Sequence, residues 1–251
     1  MTDLFSLVGR TAVVTGAGSG IGRAIALGYA RAGADVIAWG RSDSVAETVE
    51  RIHGEGGSAD AVVCDLTDVD RATAVADRLA AARAVDVLVN NAGIIARAPA
   101  EDLEIAAWRD VLSINLDAVW ALSRAFGRPM LERGNGRIIT TASMLSFQGG
   151  RHVAAYAASK HAVVGLTRAL ASEWAGRGVA VNAIAPGYVV TANTLPLRED
   201  PERSAQILDR IPAGRWAEPE DMVGPAVFLA SDAAAYVHGH VLAVDGGWLA
   251  S

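Results

Sequence analysis

The sequence predicts an α/β fold: a doubly wound sheet of seven parallel strands flanked by helices, in one domain over residues 1–251. Three observations carry this reading. Short β-branched runs alternate with longer alanine-rich segments of helical period along the whole chain, the order that places helices on the faces of a parallel sheet. The strand runs are continuously apolar rather than alternating, which suits strands covered on both faces. No Pro/Ser-rich linker, low-complexity tract or internal repeat interrupts the alternation.

The elements follow in order. TAVVT at Thr11–Thr15 is a β-branched strand that ends in a glycine cluster, and a helix near 21–32 opens where the cluster stops. Val36–Trp39 is the second strand, followed by a helix near 43–54; Ala61–Cys64 is the third, followed by one near 69–83. Val85–Val89 leads to a long helical run near 102–131, and Arg137–Thr141 to another near 155–177. Ala180–Ile184 is the sixth strand, a helix near 219–231 comes next, and Val241–Val244 closes the series. Between Pro186 and Trp216 no strand is visible and four of the chain's eight prolines fall, so an irregular lid over a substrate is expected there.

Composition excludes several function classes. With 22 basic against 28 acidic residues the net charge is −6 and the pI about 5.4, so there is no basic footprint for nucleic acid or an anionic membrane. No apolar run reaches the ~18 residues of a membrane span, and the N-terminus, acidic at Asp3, lacks the basic and apolar regions of a secretory signal. A single cysteine, Cys64, excludes an internal disulfide or a multi-cysteine zinc site and agrees with a reducing, cytoplasmic compartment. It sits at the end of an apolar strand with no flanking base, so a core role is expected. The histidines lack metal-site spacing and acidic partners, and His238-Gly239-His240 reads as a turn before the last strand; no metal is predicted.

The first turn reads TGAGSGIG, Thr15–Gly22. A strand, a glycine-rich turn and a helix in that order let backbone N–H groups and a helix N-terminus approach a pyrophosphate, so Gly16, Gly18, Ser19, Gly20, Ile21 and Gly22 are candidate dinucleotide contacts. The spacing of Gly16, Gly20 and Gly22 is not G-x-G-x-x-G, and no Gly-Lys-Ser/Thr of a P-loop follows; a tight βα connection without a ligand is the alternative. The second strand should end at the adenosine ribose. There the chain has Gly40 where an acid would accept from a 2′-hydroxyl, then Arg41, which points to NADP(H) through its 2′-phosphate. NAD(H), with Asp43 on the ribose and Arg41 in a solvated turn, stays open. Asp65, after the third strand, could accept from an adenine amino group or simply belong to a helix N-terminal region.

The chemistry gathers downstream. Twenty-one of the 22 basic residues are arginines, and the one lysine, Lys160, stands four residues after Tyr156. On a helix those side chains share a face, and a nearby ammonium is expected to lower the phenol's pKa and make it an acid/base near neutral pH. A compact point charge suits that task better than a wide guanidinium. Ser143, 13 residues upstream of Tyr156, would orient the reacting oxygen. An exposed Tyr/Lys pair on a helix face is the bland alternative.

In these motifs the chain resembles the short-chain dehydrogenases/reductases over essentially its whole length: TGAGSGIG at 15–22, DL at 65–66, NNAG at 90–93, Asn115, Ser143, YAASK at 156–160 and PGYVVT at 186–191. The resemblance implies a Rossmann-type fold, with a cofactor half over about 1–135 and a catalytic half over about 136–251. It implies that Tyr156 donates and accepts the proton and that Lys160 holds the nicotinamide ribose and lowers the phenol's pKa. Ser143 would bind the substrate oxygen, and Asn115 would support a water relay to Lys160. Leu66, Asn91, Ala92, Gly93, Pro186, Gly187 and Val189 would line the cofactor cleft, with Thr191 on the carboxamide. Hydride transfer belongs to the nicotinamide. A homotetramer is implied, with Trp248 near a subunit contact.

The stretches ASMLSFQGG (142–150), NAIAPGY (182–188), ILDRIPAGRW (207–216) and AVDGGWLA (243–250) resemble the branch of sugar-acid dehydrogenases acting on gluconate and 2-deoxygluconate. A sugar acid or keto acid needs a cation and polar groups, and Arg97, Gln148, Arg151, His152 and Asn193 stand in loops after strands. Arg97 or Arg151 is the expected carboxylate clamp; either could instead be a surface arginine. That branch is usually described as NAD-linked, which sets it against the Arg41 reading. A 3-oxoacyl-thioester reductase or a non-catalytic dinucleotide-binding protein are the competing functions.

Overall fold

The computed structural model describes residues 4–251, so the Asp3 reading lies outside the described residues. Seven strands form one parallel sheet: β1 (Thr11–Thr15), β2 (Asp35–Gly40), β3 (Ser58–Val63), β4 (Val87–Asn90), β5 (Gly136–Thr141), β6 (Val179–Pro186) and β7 (Val241–Val244). Their order is β3-β2-β1-β4-β5-β6-β7, and every neighbouring pair runs parallel. The order reverses between β1 and β4, the point at which an open sheet of this kind leaves a crevice beyond the carboxyl ends of its strands.

The pleat sends alternate residues to opposite faces. Ala12 and Val14 of β1 join the core beneath α1 (Gly20–Arg31), α2 (Ser44–Gly54) and α9 (Val223–Ala230), where Ile25, Tyr29, Ile52 and Leu229 pack. Val13 faces the other way, into the core of Phe126, Met130, Leu170 and Trp174 under α3 (Val69–Ala82), α5 (Ala118–Arg133) and α6 (Ala154–Trp174). The central strands thus bury both faces, which is why their sequences are continuously apolar. No helix of the described residues is long and apolar enough to cross a membrane.

Five expectations need correction. The third strand runs Ser58–Val63, so Cys64 lies just past it; it is buried all the same, and its carbonyl accepts from Trp39 Nε1 at 3.0 Å. The fourth begins at Val87 rather than Val85. The run near 102–131 is α4 (Ile105–Leu112), a π-helical turn (Ser113–Asp117) and α5. The extra residue of that turn seats Asn115, whose Oδ1 accepts from Ile94 N at 2.9 Å and whose Nδ2 donates to Ile94 O at 3.0 Å. The segment between Pro186 and Trp216 is not irregular: it carries α7 (Leu195–Arg198) and α8 (Pro201–Asp209). Pro196 and Pro201 stand in the first turns of these helices, where a missing N–H breaks no bond, so prolines that read as breakers are helix starts. The helix near 219–231 likewise opens with a 3-10 turn, Pro219–Met222, before α9.

Candidate active site

A cleft of about 710 Å³ runs along the carboxyl ends of the strands. At the end of β1 the glycine turn lies against the start of β4's loop. Gly16 has φ +67°, and a Cβ at Gly22 would stand 2.2 Å from Gly16 O and 2.5 Å from Asn91 Nδ2, so only a bare backbone fits there. Ser19 caps α1 without using its side chain and the first turn of α1 holds no acid, which leaves N–H groups and a positive helix end facing the cleft. These features suit a pyrophosphate, and the strip of residues beyond β2 and β3 suits the rest of a dinucleotide.

The cleft is lined by Gly16, Gly18, Ser19, Gly20 and Ile21, by Arg41, Asp65 and Leu66, and by Asn91, Ala92 and Gly93. Ser143, Tyr156 and Lys160 face it from the β5 side, and Pro186, Gly187, Val189, Thr191 and Asn193 from the β6 side. Gly22 braces the turn from behind. Asp65 Oδ1 accepts from Thr67 N at 3.0 Å, so this carboxylate also serves its own loop. Arg41 is exposed beside Ser42 and Ser44, whose hydroxyls lie 3.1 Å apart and also line the cleft; Asp43 is not among the lining residues.

The catalytic candidates converge. Ser143 is buried, and its Oγ accepts from Leu145 N at 3.1 Å, while Ser146 Oγ donates to the Lys160 carbonyl at 2.7 Å and so fastens that loop to α6. Asn115 Nδ2 also donates to Ser159 Oγ at 3.1 Å, and Ser159 Oγ in turn donates to Tyr156 O at 2.8 Å. Asn115 therefore holds both the β4 loop and the turn of α6 that carries the tyrosine. Lys160 is 4% exposed; its Nζ donates to Thr141 O at 2.5 Å and lies 5.5 Å from the Tyr156 ring centroid.

The expected pKa relation is reversed here. Burial pushes the Tyr156 phenol above its ordinary value, against the pull of a hydrogen bond with Ser143 and of the Arg97 guanidinium. Burial brings Lys160 down to about 8. Desolvation disfavours the charged form of each group, and the ammonium points at a carbonyl and the ring rather than gaining its bond at the hydroxyl.

Of the substrate candidates, Asn193 lines the cleft and Arg97 reaches it indirectly, donating from Nη2 to Asn193 O at 2.8 Å. Gln148 and Arg151 do not line it, and Arg151 is exposed. Sequence reasoning missed Thr15, whose buried hydroxyl ties β1 to the β4 loop, though its place just before Gly16 was a signal. It also missed Thr141, and Tyr188, which stacks edge-on with Trp216 (5.2 Å) and Trp248 (5.0 Å) beneath α8. Nothing in the local sequence brings those three aromatics together.

The family described as enoyl-(acyl carrier protein) reductase matches residues 16–249. A 2-dehydro-3-deoxy-D-gluconate 5-dehydrogenase of Bacillus subtilis is 53% identical over 98% of this chain and 97% of that protein. A Beutenbergia cavernae structure, described as an NAD(P)-dependent gluconate 5-dehydrogenase with NADP bound at low occupancy, is 76% identical, covers 99% of this chain and 100% of its own, and superposes with a TM-score of 0.98. A gluconate 5-dehydrogenase of Burkholderia cenocepacia, in complex with NADP and tartrate, is 39% identical over 99% of this chain and 98% of its own, with a TM-score of 0.96.

Proposed function

The chain belongs to the short-chain dehydrogenase/reductase family and is an NAD(P)-dependent oxidoreductase acting on CH–OH groups; from that premise we propose that it interconverts a secondary hydroxyl and a ketone on a sugar acid, in the manner of the gluconate 5-dehydrogenases and 2-dehydro-3-deoxy-D-gluconate 5-dehydrogenases it resembles, with NADP(H) preferred. When bound, the nicotinamide supplies or takes the hydride. Tyr156 gives up or receives the hydroxyl proton, and Ser143 holds the same oxygen and favours the phenolate by hydrogen bonding to it. Lys160, with a pKa of about 8, is largely an ammonium at neutral pH and keeps a positive charge over the tyrosine ring.

Arg97 takes the carboxylate. The observation that carries the sugar-acid reading is its position: the Arg97 guanidinium donates to the carbonyl of cleft-lining Asn193 at 2.8 Å and is close enough to bias the ionisation of Tyr156, while exposed Arg151 makes neither contact. Arg41 takes the 2′-phosphate, with Ser42 and Ser44 as further donors lining the same end of the cleft. NADP in the Beutenbergia and Burkholderia structures supports the same choice. The enzyme works in the cytoplasm as a homotetramer. Half-exposed Trp120, exposed Ile105 and the unpaired outer edge of β7 support self-association, which light scattering tests.

The deciding assay follows nicotinamide absorbance with gluconate, 2-deoxygluconate, 5-ketogluconate and a 3-oxoacyl thioester against both cofactors. Turnover of a sugar acid with NADP(H), abolished in Tyr156→Phe, is expected. Turnover with NAD(H) alone removes Arg41 from the phosphate role, and turnover of the thioester alone overturns the substrate class.

A further inference from the structure

The loops that follow β4, β5 and β6 meet at the substrate mouth and are laced together by two bonds. Ala98 N donates to His152 O at 3.0 Å, and Arg97 Nη2 donates to Asn193 O at 2.8 Å. Among the described residues His152 is the one non-glycine at positive φ, +62°, in the left-handed region where a Cβ crowds the following carbonyl. Glycines at 149 and 150 stand just before it, yet the left-handed position itself holds a side chain that opposes that conformation. Strain of this kind persists where surrounding structure imposes it, and it clusters at functional loops. Here the imposing structure is buried Val153 on one side and the bond to Ala98 on the other.

We propose that His152 is a positioning residue for the reaction: its left-handed backbone turns its carbonyl onto Ala98 and so fixes the adjacent Arg97 at the pocket mouth. The backbone at 152 sets substrate affinity, and the exposed imidazole does not. If residue 152 relaxes to an extended or right-handed conformation, its carbonyl turns away, the Ala98 amide is released, and a long exposed arginine regains its rotamers. A guanidinium displaced by about an ångström loses bidentate carboxylate geometry. The inference rests on the sugar-acid reading for its kinetic effect and on the backbone alone for its structural one.

The test compares His152→Gly and His152→Asn, which accept positive φ, with His152→Val, which resists it, and with the milder His152→Ala should valine not fold. Each is assayed for sugar-acid turnover with NADP(H) and for amide exchange over residues 94–99. Glycine and asparagine are expected to stay within about twofold of wild type, while valine raises KM for the sugar acid about tenfold with kcat and the cofactor KM unchanged. Exchange at Ala98 speeds up in the valine variant and, to a lesser degree, in alanine, but not in glycine or asparagine. A glycine variant as impaired as valine overturns the proposal, because the imidazole would then be the acting group. Unchanged exchange at Ala98 in both valine and alanine overturns it as well. If the wild-type enzyme turns over no sugar acid, the substrate reading fails, and the exchange measurement still decides this one.

Discussion

Replacing Thr15 by valine isolates one hydroxyl that joins the two halves of the sheet. Thr15 is 1% exposed; its Oγ1 donates to Val89 O at 3.2 Å and accepts from Asn91 N at 2.9 Å and Ala92 N at 3.0 Å. Valine keeps the shape and the strand preference, so no cavity or clash forms, but those three groups lose their shared partner. Asn91 N retains a second contact, to Val89 O at 3.1 Å, which leaves the Ala92 amide as the main orphan. At ~1–3 kcal/mol for a group left unsatisfied, with the lesser losses added, the substitution costs roughly 2–3 kcal/mol. For a chain of this size that lowers Tm by about 4–12 °C. Asn91 and Ala92 line the cofactor cleft, so NADP(H) affinity falls in parallel. Urea melts of Thr15→Val and Thr15→Ser check this, serine keeping the hydroxyl and staying within about 1 kcal/mol of wild type. A valine variant as stable as wild type, or a serine variant as weak as valine, refutes the reasoning.

Gly22→Ala forces a Cβ to 2.2 Å from Gly16 O, so dinucleotide binding measured by calorimetry should be lost; Gly165→Ala, in the exposed interior of α6 with nothing within 4 Å, should instead add ~0.5–1 kcal/mol in a urea melt. Lys160 is held at about 8 against 10.5, so between those values the unfolded chain binds a proton that the native chain does not, and this group's contribution to stability rises with pH. The penalty is fully present below pH 8 and amounts to roughly 3 kcal/mol; wild type minus Lys160→Met should therefore gain stability across pH 8–10.5. Asn115→Leu strips both polar groups of Ile94 of their side-chain partner, and a loss of ~2–4 kcal/mol with raised cofactor Kd is expected from melts and titration.

The glycine turn, the strand-and-helix alternation and the four-residue spacing of Tyr156 and Lys160 are local patterns, and local patterns are read along a chain. They were enough to determine the α/β class and the parallel sheet, and to pick out the glycine turn and the Tyr156–Lys160 pair that the fold brings to one cleft. The solitary lysine in a chain of arginines marked the more deeply buried of two buried cations among the described residues, Lys160 at 4% and Arg137 at 9% exposed. Other features depend on residues distant in sequence. Thr15 meets Asn91 across 76 residues and Arg97 meets Asn193 across 96, and no window of sequence contains either pair. The prolines between residues 186 and 216 read as breakers because a sequence does not say whether a proline starts a helix or stops one; α7 and α8 exist because Ile207 and Leu197 find the aromatic cluster of Tyr188, Trp216 and Trp248 to pack on. The direction of the Tyr156 shift was misread for the same reason. Spacing puts a cation near a phenol, but burial decides how much the charge of either costs, and burial is a property of the folded chain alone.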